Sequence, residues 1–175
     1  MTIALPGALT WLPASDRPDL LAAPVAEAVG ALRAYVAEID PDLADTAAFC
    51  ERYGVELGES ANCVVVQGRR GEETSLAAAL VLATDRADVN KTIRKRLGAR
   101  KASFAPMDTA TAATQMEYGG ITPIGLPAGW PLLIDEAVAG APWVVVGSGI
   151  RGSKIALPGA DLAALPGAEV LDLAV

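Results

Sequence analysis

Apolar and polar positions along this chain alternate in some stretches and recur at helical spacing in others, which predicts strands mixed with short helices. The densest β-branched run, Cys63-Val-Val-Val-Gln67, is followed by the polar turn Arg69-Arg70-Gly71-Glu72 and an apolar run from Leu76 to Ala83. Two such runs around a turn predict a hairpin. Val25, Val29 and Leu32 share a helical face behind Pro24, so a helix is expected from Pro24 to about Tyr35. Asp45 or Thr46 can cap a helix that runs to Tyr53 and ends at Gly54. Val89, Ile93 and Leu97 predict a helix over 87–97, capped by Asp85 or Asp88 and stopped by Gly98. Asp108 begins another through about Gln115, and 158–165 reads as a short one. Further strands are expected at 35–39, 101–105, 130–135, 142–146, 155–157 and 168–173. Residues 1–19, with Pro6, Pro13 and Pro18 around Leu9-Thr-Trp-Leu12, read as an edge strand or extended arm. Hairpins interleaved with helices predict an α+β single domain over 1–175, a mixed β-sheet flanked by helices rather than a doubly wound parallel one.

One stretch fits neither period. Tyr118-Gly119-Gly120-Ile121-Thr122-Pro123-Ile124-Gly125 holds too many chain breakers for an element interior, yet its isoleucines mark it as no solvated linker. A Gly-Gly pair lets backbone approach a ligand closely, and it also lets two turns of one chain pack; spacing alone leaves both open.

Composition narrows the chemistry. The chain has 175 residues and no histidine. That removes Ser-His-Asp and Cys-His catalysis, imidazole acid–base work and histidine metal ligands. Cys50 and Cys63 read as buried thiols rather than a disulfide, and alone they make no structural zinc site. No metal and no cofactor are expected. No apolar run is long enough to span a bilayer, and Met1-Thr-Ile-Ala-Leu-Pro6 lacks the basic start and apolar centre of a secretion signal. The expectation is a cytoplasmic protein with no membrane partner.

The net charge of −7 argues against a non-specific nucleic-acid coat and against DNA as partner. Charge is unevenly spread, however. Between Glu38 and Glu59 every charged residue except Arg52 is acidic, whereas Arg86, Lys91, Arg94, Lys95, Arg96, Arg100 and Lys101 are opposed only by Asp88. Such a basic stretch either binds a polyanion locally or is a solvated face.

Three apparent motifs fail on spacing. Gly147-Ser-Gly-Ile-Arg-Gly-Ser-Lys154 follows a strand but transposes the lysine and hydroxyl of a phosphate-binding loop. Ser148 lacks both the glycine spacing of a nucleophile elbow and a histidine base. Asp135 and Glu136 are adjacent, so on a strand they point to opposite faces, and a helix cap or solvated turn suits them better than an acid–base pair.

Taken in order, strand 63–66, its partner 76–83, Asp88-Val-Asn-Lys-Thr-Ile-Arg-Lys-Arg-Leu-Gly98, Lys101-Ala-Ser-Phe-Ala105, Gly119-Gly-Ile-Thr-Pro-Ile-Gly125, Ile134-Asp135 and Val146-Gly-Ser-Gly-Ile-Arg-Gly152 resemble a known family. It is the YbaK/ProX-type aminoacyl-tRNA deacylases, which includes the insertion editing domain of bacterial prolyl-tRNA synthetases. The resemblance covers about 45–168 as an editing-domain-like core and leaves 1–44 as an N-terminal extension. It implies a trans-editing hydrolase that deacylates mischarged aminoacyl-tRNA at the 3′-terminal ester. The alternative is a weak or inactive relative that holds the aminoacyl end or a nucleotide-like ligand. The implied catalytic set is Asn62, Gly119, Gly120, Thr122 and Pro123, with water or a substrate group held by backbone dipoles. Tyr118, Ile121, Gly125, Asp135, Ser148, Gly149, Arg151 and Gly152 are implied substrate contacts, and Lys91, Arg94, Lys95, Arg100 and Lys101 acceptor-stem phosphate contacts. Met116, Ile121 and Val66 are expected to size the amino-acid pocket. The implied partner is the aminoacyl-tRNA acceptor end, with association with a synthetase or translation factor, an interaction role open to 1–44. Asn62 stands where active members carry a lysine; it donates and accepts hydrogen bonds but brings no positive charge. Lys91, Lys101 and Lys154 are the amines that could replace that charge in space.

Overall fold

The computed structural model describes residues 3–175; Met1 and Thr2, where the expected arm begins, lie outside the described residues. The hairpin forms as expected. β3 (Ala61–Arg70) and β4 (Glu73–Leu82) pair antiparallel along their whole length about the Gly71 turn. β5 (Lys101–Phe104) adds antiparallel to the outer side of β3. β6 (Leu132–Asp135) adds parallel to β4, and β9 (Ala168–Leu171) adds parallel to β6. This is a mixed five-stranded sheet in the order β5-β3-β4-β6-β9.

A second, antiparallel sheet was not separated from it in the sequence reading. β1 (Leu12–Pro13), β2 (Tyr35–Glu38), β7 (Val144–Gly147) and β8 (Ser153–Leu157) form it in the order β1-β2-β8-β7. The two sheets meet at a single parallel bridge between Ser60 and Val145. Val25, Leu80, Ile124, Leu132, Ile134, Val146, Ile155 and Leu157 fill the main core between them. Side chains on the other face of β7 and β8, Val145 and Ala156, pack under α2 (Thr46–Tyr53) with Phe49 and Cys50. Val66, Ala79, Val81 and Leu133 face outward onto Val89, Ile93 and Leu173 as a third cluster.

Two expected helices are shorter than their periodicity suggested. The first is α1 (Ala23–Ala28) with a 3₁₀ turn at Val29–Ala31, because Tyr35 must already pair with Ala156. The second, over 87–97, begins as a π turn at Val89–Ile93 and becomes α-helical only as α3 (Arg94–Arg96). Asp88 causes this. Its carboxylate accepts from the Lys91 and Thr92 amides, so the Ile93 amide reaches back five residues to the Asp88 carbonyl at 3.0 Å. α4 (Met107–Thr114) ends in the left-handed Gln115; its N-cap is Pro106, while Asp108 bonds only its neighbour's amide. α5 (Glu136–Ala139) and α6 (Gly159–Ala163) close the back of the molecule. No helix of the described residues is long and apolar enough to cross a membrane.

Candidate active site

A cavity of about 480 Å³ opens where the two sheets meet, between the start of β3, the edge formed by β7, and the N-terminus of α2. Asn62 and Cys63 line it from β3, Thr46 from the first turn of α2 with Ala44 and Asp45 just before it, and Gly147 and Lys154 from the antiparallel sheet. Tyr118, Gly119 and Ile121 close one side, and Phe104 and Met107 another.

Of the three lysines that could stand in for the missing charge, Lys154 is the one that lines this cavity. On β8 the alternation sends Ile155 and Leu157 into the main core, which turns Lys154 and Ala156 to the face beneath α2. The lysine is only 9% exposed. Its Nζ donates to the Ala44 carbonyl at 2.9 Å and lies 5.2 Å from the centre of the Phe49 ring. Among the described residues it forms no ion pair. Burial pulls its pKa from the usual 10.5 down to about 8, with Arg151 adding repulsion against the attraction of Cys50 and Asp45. An ammonium held dry beside a neutral carbonyl and a ring face retains unspent charge for an anion.

Asn62 shares the cavity. Thr46 Oγ1 donates to its Oδ1 at 2.6 Å, which leaves the amide nitrogen, with two hydrogens, to donate. The Asp45 side chain makes no cap bond and is largely exposed, 3.8 Å from Arg151. The Cys63 thiol is pushed up to about 12 and that of Cys50 is also raised, both by burial, so neither is a thiolate nucleophile at neutral pH.

Of the other residues named from sequence, Tyr118, Gly119 and Ile121 line the cavity. Gly120 does not. A Cβ there would lie 2.7 Å from the backbone of Ile150, and one on Gly147 would lie 2.5 Å from the Gly120 carbonyl. The two turns are stitched by Gly149 N donating to Gly120 O at 2.7 Å and Glu117 N donating to Gly149 O at 2.9 Å. Thus the close approach allowed at Gly120 is between two turns of this chain. Thr122 and Pro123 are buried, and the Thr122 hydroxyl has no hydrogen-bond partner. Gly125 packs on the Pro24 carbonyl, and Gly149 packs on Ala22 and Val25.

Ser148 is enclosed, with its hydroxyl 2.6 Å from that of Ser153 and bonded to the Ile150 carbonyl. Arg151 spans three segments: its guanidinium donates to the carbonyls of Pro41 and Tyr118, and its amide donates to Glu117. Gly152 lies beside Pro41 and Ile150. Asp135 is 2% exposed, caps α5 through the Ala137 amide, and accepts from the Leu173 and Ala174 amides. Met116 and Val66 face the main and outer cores, so of the three expected pocket-sizing residues only Ile121 reaches the cavity.

The basic residues divide. Arg94, Arg100 and Lys101 line a second concavity of about 560 Å³ with Arg69, whereas Lys91 and Lys95 lie outside it and Arg96 pairs with Glu169. Sequence reasoning named Lys154 only beside two other lysines, and missed Thr46 as a partner of Asn62 and Phe104 altogether. A lysine flanked on its strand by Ser153 and Ile155 was the available signal for burial.

The model of the aminoacyl-tRNA editing domain matches residues 40–165. The chain belongs to that family. Family membership agrees with the resemblance carried by the Gly-Gly loop and the later Gly-x-Arg-Gly turn. Solved structures share the fold. A scaffold protein from a computational epitope-grafting design is 25% identical, with a TM-score of 0.73 over 88% of this chain and 97% of that one. A candidate trans-editing enzyme for prolyl tRNA synthetase is 23% identical, with a TM-score of 0.72 over 95% of this chain and 99% of that one. The hypothetical protein APE2540 is 19% identical, with a TM-score of 0.71 over 82% and 91%.

Proposed function

We propose that this editing domain is a deacylase that hydrolyses the 3′-terminal ester of a mischarged aminoacyl-tRNA. The observation that carries the reading is the Lys154 ammonium, buried in the same cavity as Asn62, the residue that the resemblance aligns with the family's lysine. Water adds to the ester carbonyl carbon, negative charge grows on its oxygen, and the carbon–oxygen bond to the ribose breaks as that oxygen takes up a proton. The products are the amino-acid carboxylate and a free hydroxyl. Lys154 and the Asn62 amide nitrogen are the donors for the growing charge, and in a water-poor site one such contact is worth ~10²–10³ in rate. With no imidazole in the chain, the proton leaves through water or a substrate group. Tyr118, Gly119 and Ile121 are the wall against the terminal ribose. A panel of mischarged tRNAs tests this: release of one amino acid, lost in Lys154→Met, is expected. No release from any of them at high protein concentration removes the reading.

Asn62 supports a second reading, in which the cavity holds the aminoacyl end without turnover, because the Asn62 carbonyl is already committed to Thr46. Asn62→Lys separates the two. An inert parent whose variant gains deacylation favours binding alone.

A further inference from the structure

We infer that Phe104 is a stacking platform for unpaired bases of an RNA 3′ end, whose phosphates lie in the adjoining basic concavity. Phe104 is 63% exposed at the end of the edge strand β5. It lines both the cavity and the concavity and is the only lining residue shared by the two among the described residues. Its companions at the cavity mouth, Met107 and Tyr118, are each 56% exposed. Three large apolar side chains left in water around one opening are a costly arrangement unless something flat and apolar covers them.

The occupant follows from charge. The concavity beyond Phe104 is lined by Arg69, Arg94, Arg100 and Lys101 and by no acidic residue, in a chain whose net charge is −7. None of the four cations is in an ion pair among the described residues. β-pairing sets two of them side by side, since Arg69 on β3 lies opposite Lys101 on β5. A row of unneutralised cations leading to an exposed ring is the arrangement that binds single-stranded nucleic acid, with phosphates on the charges and a base on the ring face. A duplex keeps its bases stacked on one another and cannot use the ring.

The inference rests on the reading that the cavity takes the end of an aminoacyl-tRNA, and the test uses an RNA with no ester, so the two fail separately. Fluorescence anisotropy is measured with a short labelled single-stranded RNA ending in CCA, uncharged, across a salt series. Phe104→Ala is expected to weaken binding by about tenfold or more without changing the slope of log K against log salt. Arg69→Ala and Arg100→Ala are each expected to lower that slope by about 0.7. Phe104→Tyr is expected to bind like the parent. All these positions are exposed, so the variants fold. Equal binding by Phe104→Ala, or equal binding of a blunt RNA duplex of the same charge, overturns the proposal. Binding of this RNA by a protein that releases no amino acid sustains the platform and removes only the hydrolysis.

Discussion

The loop pair 117–125 and 147–152 and the patch formed by Lys154, Asn62 and Thr46 adjoin the same cavity, yet they use their polar groups in opposite ways. In the loop pair the backbone groups are spent on each other: Gly120 O is taken by Gly149 N, Gly149 O by Glu117 N, and the Tyr118 carbonyl by Arg151. Its glycines are there because a Cβ at Gly120 or Gly147 would strike the facing backbone. In the Lys154 patch, an ammonium has one neutral acceptor and an amide nitrogen has none fixed by Thr46. The loops are a buckle that sets the shape of the wall, and the patch is where charge and a donor remain unspent. A conspicuous glycine motif therefore marks close packing as readily as chemistry, and the proposed chemistry rests on a strand residue with no motif of its own.

The sharpest way to break that contrast is Lys154→Met. Deacylation is expected to fall ~10²–10³-fold while urea unfolding shows a gain in stability of about 1–3 kcal/mol at pH 7, because a poorly compensated buried charge is removed. A loss of stability together with activity would place Lys154 in the structural group instead. Next comes Gly120→Val. Its side chain meets the Ile150 backbone at 2.7 Å, so the loop cannot simply present it to a ligand, and a loss of ~2–4 kcal/mol of stability is expected. Unchanged unfolding with lost activity would return Gly120 to the ligand side.

The pH dependence has a defined sign. Lys154 has a pKa of about 8 in the folded protein against 10.5 when unperturbed, so between those values the unfolded chain binds more protons. Stability from this group therefore rises with pH from 8 to 10.5, by at most about 1.4 kcal/mol per pH unit, and the penalty is fully present below pH 8. Deacylation moves the other way, falling above pH 8 as the ammonium is lost, corrected for the ester's own alkaline hydrolysis. A Lys154→Met background should flatten both profiles. The smallest effect is expected from Thr46→Val, which frees Asn62 to rotate; a rate loss of about threefold to tenfold with unchanged unfolding fits the loss of one neutral hydrogen bond.

Much of the architecture was legible in residue order. The β3–β4 hairpin, the Gly54 stop of α2 and the strands expected at 101–105 and 155–157, found at 101–104 and 153–157, follow from local periodicity and turn residues. The π turn at Val89–Ile93 was not, because it depends on the Asp88 carboxylate taking amides that an α-helix would leave to water. Nor was the division into two sheets, since β2 finds β8 across more than a hundred residues and periodicity carries no information about partners.

The site divides along the same line. Residue order alone excluded imidazole and pointed to the two glycine turns, because composition and spacing are properties of the chain itself. Which lysine would stand near Asn62 was decided only in three dimensions. Lys101 goes to the basic concavity through its pairing opposite Arg69, and Lys154 goes beneath α2 because its strand neighbours claim the main core. The glycine turns, likewise, were visible from the outset as turns. That they close on each other, leaving the free donors to Lys154 and Asn62, is a contact between segments about thirty residues apart, and such contacts exist only once the chain is folded.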